Sequence, residues 1–324
     1  MTAGRRGVAL TPMETRPDII VRTAQLADDL GYETFSLAEG WSLDATVLLG
    51  QIGLLTRRIT LVAGVLSIWG RTPATLAMTA TTLHRLCGGR FVLGLGASSP
   101  ALVEGFHRIP FDRPAARLRD TTREVRNLID GGRAGARPAL TTRPLALGGT
   151  AVPELPIWIG ALGDRTIGVA DELADGWFPV FQSRAAVAER TARFSRKLTV
   201  AVCPTTVAAP DAGIARNAVA ATLAFYLCAM GTDYATAATR QGYGDAVRAV
   251  QAANPRPDPR TGVIPPAAQV LLDEFTASGT AAEVRDTLAG WDEVADIVML
   301  GLPPGLPWEL IESTLRAAAP EDPR

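Results

Sequence analysis

The residues able to do chemistry unaided are few and badly placed for it. Histidine occurs only as His84 and His107, and cysteine only as Cys87, Cys203 and Cys228, none of them at the short spacings that hold a metal. No metal is therefore expected. No cysteine stands beside a base, and the loops that could form a site hold no close pair of carboxylates. Nucleophilic, metal-dependent and glycosidase chemistry all lack their usual parts. Each cysteine lies in an apolar neighbourhood and is expected to be a buried, inert thiol; His84, near the end of a helical pattern, is expected at a helix surface or cap. What remains is chemistry carried by a bound redox group, for which a protein supplies mainly position and surroundings.

Two glycine-containing turns could seat such a group. From Ile157 the chain runs as a short apolar strand into Gly160, Ala161, Leu162, Gly163, Asp164 and Arg165, where a helix begins. Unpaired N–H groups and the helix dipole at such a junction favour an anion, and a phosphate is the natural guest. An ordinary strand-to-helix connection with Asp164 as N-cap explains the same residues. The second turn, Gly94 and Gly96 followed by Ala97, Ser98 and Ser99, lacks the third glycine of a dinucleotide fingerprint and meets Pro100 where a helix should open. It reads instead as a tight turn in which small residues let the backbone approach something flat.

The elements that must position these turns follow from hydrophobic period. Short apolar runs at 7–10, 34–37, 59–65, 91–95, 157–160, 176–180, 198–207 and 297–300 alternate with segments of helical spacing. That pattern predicts a (β/α)8 TIM barrel forming one domain over 1–324, with insertions after strand 4 (about 131–151, with a small hairpin) and before strand 8 (about 211–276). Asp44 should cap a helix reaching Leu55, Pro73 should open one reaching Leu86, and Thr280 with Glu283 forms a capping box. In such a barrel the loops after the strands' C-terminal ends carry the site. The 32 basic and 33 acidic side chains nearly cancel, which argues against nucleic acid as a partner. No apolar run is long enough for a membrane span and the first ten residues lack a signal-peptide pattern, so a cytoplasmic protein with a small-molecule substrate is expected.

Several separated motifs, in order, resemble the luciferase-like monooxygenase superfamily: segment 71–77 with 82–96, closing on Gly94, Leu95 and Gly96, and segment 156–163 with 174–177. Within it, segments 98–107 and 110–114, with 230–234 and the pair Gly242 and Tyr243, are similar to the coenzyme F420-dependent oxidoreductases and their methylenetetrahydromethanopterin reductase relatives. The resemblance covers nearly the whole chain.

It implies a deazaflavin, coenzyme F420, lying across the barrel mouth, with FMN as the alternative cofactor. The ring would rest on a bulge after strand three containing a non-proline cis peptide, a position matched by Gly64 and Val65 and followed by Leu66. Ala161 to Arg165, after Gly160, match the loop that holds the cofactor's phosphate; Ala97, Ser98 and Ser99 match the loop beside its polar chain. Glu39 matches the acidic position after strand two, close to the ring. Related sugar and alcohol dehydrogenases have histidine where this chain has Gly40 and glutamate where it has Ser99, departures that count against alcohol oxidation. Glu39 and Ser99 are the candidates for assisting proton transfer; Glu39 can equally orient its loop through backbone hydrogen bonds. Glu14, Trp41, Trp69, Trp177, Tyr226 and Tyr234 are candidates for a substrate pocket, the aromatic ones equally for core packing.

The expectation is hydride exchange between F420 and a small organic substrate, with a place in secondary metabolism. One alternative is an FMN-dependent monooxygenase; another is a barrel that binds a ligand or acts without a redox cofactor. Proteins of the resembled type often pair through helices early in the barrel, so the resemblance implies a homodimer.

Overall fold

The structure is a computed structural model and describes residues 4–135 and 141–320. Eight parallel strands close into a barrel: β1 (Arg5–Leu10), β2 (Thr34–Leu37), β3 (Thr60–Ser67), β4 (Phe91–Gly96), β5 (Ile157–Gly160), β6 (Gly176–Trp177), β7 (Thr199–Val202) and β10 (Ile297–Leu302), the last pairing back onto β1. The two remaining strands, β8 (Thr205–Ala208) and β9 (Thr276–Gly279), pair with each other outside the ring, and β8 meets β10 at a single rung, Thr205 opposite Gly301. The expected seventh strand, 198–207, is therefore two. Pro204 has no N–H to give the ladder, and its carbonyl instead accepts from Gly301 N at 3.0 Å, so the chain leaves the barrel there.

Helices begin where their caps dictate. Asp44 accepts from Thr46 N and opens Ala45–Leu55, Thr72 accepts from Thr75 N ahead of Pro73–Leu86, and the capping box of Thr280 and Glu283 starts Ala281–Trp291. The start of β3 is pinned differently. The Asp28 carboxylate accepts from the backbone N–H groups of Arg57, Arg58 and Ile59 at 2.7–2.9 Å. Burial alone would raise that carboxyl, but these bonds and the charge of Arg58 outweigh it and hold it below the usual carboxylate range.

Two cores result. The larger lies between strands and helices, while Ala9, Val62, Val92, Trp158, Phe178, Ala201, Ile297 and Met299 fill the barrel interior. Gly176 makes room for that plug: a Cβ there would stand 2.5 Å from Trp158 Cδ1. Above the plug the interior stays open toward the strands' C-terminal ends.

Several expectations need correcting. The loop after β4 contains a short helix, Pro100–Gly105, and a helix Arg184–Thr191 follows β6; neither had a clear apolar period. His84 is buried, 7% exposed, with Nε2 3.6 Å from Glu154, so it belongs to the packing of the last helical turn and not to a surface or cap. The insertion expected at 131–151 retains one antiparallel bridge, Arg133 with Ala146; the middle of the expected hairpin, 136–140, lies outside the described residues. The insertion at 211–276 comprises Ala212–Ala229, Asp233–Ala238, a π-turn Thr239–Tyr243, Gly244–Ala253 and Val270–Phe275. By length and composition Ala212–Ala229 could cross a membrane, but here it packs against β8 and β9 and buries one side.

Candidate functional site

At the C-terminal mouth of the barrel lies a cavity of about 440 Å³, within the range of small-molecule sites. Its floor is the bulge in β3, where the Gly64–Val65 peptide is cis and the register against β4 shifts between Ala63 and Leu66. Glycines surround the bulge because nothing larger fits. A Cβ on Gly64 would stand 1.9 Å from Ser36 Oγ; on Gly96, 2.5 Å from Val65 Cγ2; on Gly160, 3.1 Å from Val65 Cγ1; and on Gly94, 2.0 Å from the Ala63 carbonyl. What the small residues of β4 admit is thus the Val65 side chain and the bulged backbone, not directly a flat ligand. Leu66 points away into the core and is fully buried.

The cavity's edge is built by the turn after β5. Gly160, Ala161, Leu162, Gly163 and Thr166 line it. Gly163, and not Asp164, is the N-cap of the helix Asp164–Leu173, and no side chain caps it. Asp164 turns outward to Arg190 at 2.6 Å, which holds its carboxyl below the usual range, and Arg165 is exposed and does not reach the cavity. Asp164 and Arg165, expected to hold a cofactor, are not among the residues lining the cavity; their backbone N–H groups, in the first turn of the helix, have no acceptor among the described residues. Arg240, from the π-turn of the insertion, lines the cavity beside this turn, and its charge is felt by Asp164. Sequence reading missed Arg240 because no motif surrounds it.

Beside this edge, after the neighbouring strand β4, Ala97, Ser98 and Ser99 line the cavity, Ser98 with a left-handed φ of 59°. Ser99 is the N-cap residue of Pro100–Gly105, yet its hydroxyl makes no capping bond. Glu39 also lines the cavity, already engaged: Arg71 grips both its carboxylate oxygens, Nη2 to Oε2 at 2.9 Å, and Ala45 N donates to Oε2 at 3.2 Å. Asp44 holds the same guanidinium at 3.0 Å. This arrangement orients the loop after β2 and leaves Glu39 a paired carboxylate at the cavity wall. Gly40 has Pro12 against it, 2.8 Å from any added Cβ, so this position has no space for a histidine.

Of the expected pocket residues, Tyr226 and Tyr234 line the cavity and the others do not. Trp177 is fully buried and donates Nε1 to the Ala161 carbonyl at 3.0 Å, bracing the turn from below. Trp69 braces the neighbouring loop after β4 through Nε1 to the Ala97 carbonyl at 2.7 Å, with Phe111, which does line the cavity, against its face. Trp41 is 43% exposed and faces away. Glu14 is locked by Arg16 at 2.7 Å and Gly305 N at 3.0 Å; burial would raise its carboxyl, but these partners hold it below the usual range. Phe181, with a left-handed φ of 50°, completes an aromatic wall with its ring centroid 5.0 Å from Tyr226 and 5.6 Å from Tyr234. Gln241 fixes it there, donating to the Phe181 carbonyl at 3.1 Å and accepting from Ser183 N at 2.7 Å. Cys203 and Cys228, expected to be buried, are only partly so, while Cys87 is buried; Cys203 lines the cavity, and desolvation pushes its thiol up to about 12. Among the described residues no cluster of His, Cys, Asp and Glu could hold a metal.

An apolar cavity at the C-terminal mouth of a barrel, walled by aromatics and edged by an uncapped helix terminus, is where a barrel enzyme takes a small organic molecule. The chain belongs to the luciferase-like monooxygenase family, whose profile matches residues 1–296. It is 32% identical over 313 residues, 85% of this chain and 87% of the other, to a Mycobacterium tuberculosis protein named as a coenzyme F420-dependent oxidoreductase. The fold is shared with the coenzyme F420-dependent tetrahydromethanopterin reductase of Methanopyrus kandleri (TM-score 0.75, 20% identity, 98% of each chain). It is shared also with a monooxygenase of Streptomyces bottropensis (TM-score 0.71, 20% identity, 97% of each chain). The chain is an oxidoreductase.

Proposed function

We propose that this chain exchanges hydride between coenzyme F420 and a small, uncharged organic substrate. The observation that carries the reading is the pairing, in one cavity, of a bulged apolar floor at Gly64 and Val65 with an uncapped helix terminus at Gly163 flanked by Arg240. A planar ring fits the first and a phosphate the second. The relative named as F420-dependent supports the deazaflavin over other planar cofactors. When bound, F420 supplies a two-electron hydride donor or acceptor. The residues of the chain then have three tasks: Gly163, Asp164 and Arg165 offer N–H groups to the phosphate, Val65 supports one ring face, and the aromatic wall excludes water from the other. The carboxylate of Glu39, held by Arg71, shapes this space electrostatically.

Titrating the purified protein with F420, FMN and FAD tests this. F420 should bind alone or most tightly; tight binding of FMN alone rejects the assignment. That result would favour the second reading, an FMN-dependent monooxygenase, which the family's name and the Streptomyces neighbour support and which consumes oxygen during turnover. We place the protein in the cytosol as a homodimer. Val47 and Leu54 on Ala45–Leu55, and Met78 and Leu86 on Pro73–Leu86, leave apolar surface exposed on two neighbouring helices that a second copy would cover. Light scattering of the purified chain should give twice the monomer mass.

A further inference from the structure

The aromatic wall contains two phenols that nothing in the protein satisfies. Tyr226 is 8% exposed and lines the cavity, but its hydroxyl has no hydrogen-bond partner among the described residues; the same is true of the Tyr234 hydroxyl. Neither hydroxyl is among the fully buried unpartnered atoms, so both open onto the cavity, where a ligand can take the place of water as their partner. The two rings meet edge to face at 5.0 Å, and Phe181 and Met230 complete an apolar surround. Strand order puts β3 and β7 across the barrel from each other, so Tyr226, which lies near Cys203 at the end of β7, enters from the side facing the Gly64–Val65 floor. Of the cavity's charged groups, Glu39 is held by Arg71 and Arg240 stands beside Gly163, while Asp233 is exposed at the rim, close enough for its charge to help raise the Tyr234 phenol.

Resting on the function proposed above, we infer that Tyr226, in place of the histidine and glutamate that the related dehydrogenases have at positions 40 and 99, is a catalytic hydrogen-bond and proton donor to a carbonyl oxygen, and that the substrate is an apolar, uncharged ketone or aldehyde. Reduced F420, when bound, would supply the hydride and its two electrons to the carbonyl carbon. The π pair of the C=O bond moves to oxygen, which takes the Tyr226 proton; water then returns a proton to the phenolate. Burial holds the Tyr226 phenol well above its ordinary range, so it stands protonated at any working pH, and an alkoxide remains the stronger base. Tyr234, nearer the rim and pushed up to about 12, packs against the Tyr226 ring and orients it. Donation from the phenol is strongest where water is absent, as on this wall.

The experiment uses 4-(dimethylamino)cinnamaldehyde, a neutral chromophore whose absorption moves to longer wavelength when its carbonyl accepts a hydrogen bond. The native protein should bind it with a red shift, Tyr226→Phe should bind it within about threefold but without the shift, and Tyr234→Phe should keep the shift. In turnover with F420H2, Tyr226→Phe should lower kcat at least a hundredfold with little change in KM. A shift that persists in Tyr226→Phe, or preferential binding of the carboxylate analogue 4-(dimethylamino)cinnamate, overturns the inference. F420 titration of the same proteins separates the two claims. If the native chain ignores F420, the function proposed above falls; if Tyr226→Phe binds F420 normally, loss of the shift is assigned to the missing hydroxyl and not to misfolding.

Discussion

The floor of the cavity can be tested by moving one methyl-sized volume from one residue to another. An alanine at position 96 would place its Cβ 2.5 Å from Val65 Cγ2, so the Val65 side chain, which rests in the space left by the missing Cβ atoms of Gly96 and Gly160, must shift to admit it. Such overpacking costs about 1–3 kcal/mol. Val65→Ala removes two methyl groups from a partly buried position and should cost about 1–2 kcal/mol. The double variant, Gly96→Ala with Val65→Ala, puts the new methyl where a valine methyl stood, so it should be more stable than the sum of the singles by about 1–2 kcal/mol. Gly94→Ala supplies the control: its Cβ would stand 2.0 Å from the Ala63 carbonyl, a backbone atom, so Val65→Ala should not rescue it. Urea unfolding at constant m value measures the whole set. If Gly96→Ala is neutral, or if the pair adds within about 0.5 kcal/mol, the nesting of Val65 on the glycines is not what keeps those positions small.

Arg240→Gln should weaken F420 binding about tenfold to a hundredfold, the worth of one charge-assisted hydrogen bond, while a phosphate-free deazariboflavin analogue loses nothing; equal loss for both ligands would remove Arg240 from the phosphate site. Asp28→Asn should cost about 2–4 kcal/mol at pH 7, because an amide can accept only some of the three backbone bonds and sets its own N–H against another donor. The Asp28 pKa is lowered by folding, so its stabilisation is complete above the unfolded value of about 4 and disappears as pH falls through the folded value. Unfolding curves for the two proteins should accordingly converge in acid, and a gap independent of pH would contradict the charge-based account. Iodoacetamide at pH 8 should label Cys203 on the order of a thousandfold more slowly than the same residue in urea, since burial pushes the thiol up to about 12; mass spectrometry showing equal rates would refute this.

The barrel was legible from sequence because each unit repeats the same signals. An apolar run, a turn residue and a capped helix recur, and Asp44, Pro73 and Thr280 mark helix starts at or beside the observed ones. The splitting of 198–207 was less legible, since an apolar run reads the same whether its rungs pair with one neighbour or two. Only Pro204 hinted at the break. The cavity floor followed from the family resemblance at Gly64 and Val65, but the reason for the surrounding glycines did not, because it depends on where one valine side chain rests. Tryptophans misled the reading for a related cause: Trp69 and Trp177 sit in the right segments but use their indole N–H groups to hold the Ala97 and Ala161 carbonyls, and so turn their rings away. Phe181 directly follows the expected strand 176–180 and so stood in a loop where a site was expected, but Arg240 and Gln241 carried no local pattern. Their roles, and the contacts that hold Phe181, come from an insertion folding back over the mouth, a long-range event with no period to betray it.

The contact between Gly40 and Pro12 bears on how this protein could change over generations. A histidine arising at position 40 collides with the ring 2.8 Å away, so the bulkier residue can be accepted only after the loop following β1 has already been loosened. Alteration of Pro12 must come first and by itself brings no new chemistry for selection to favour. The order of those two steps acts as a ratchet, holding the lineage to whatever reaction a bare backbone at position 40 allows.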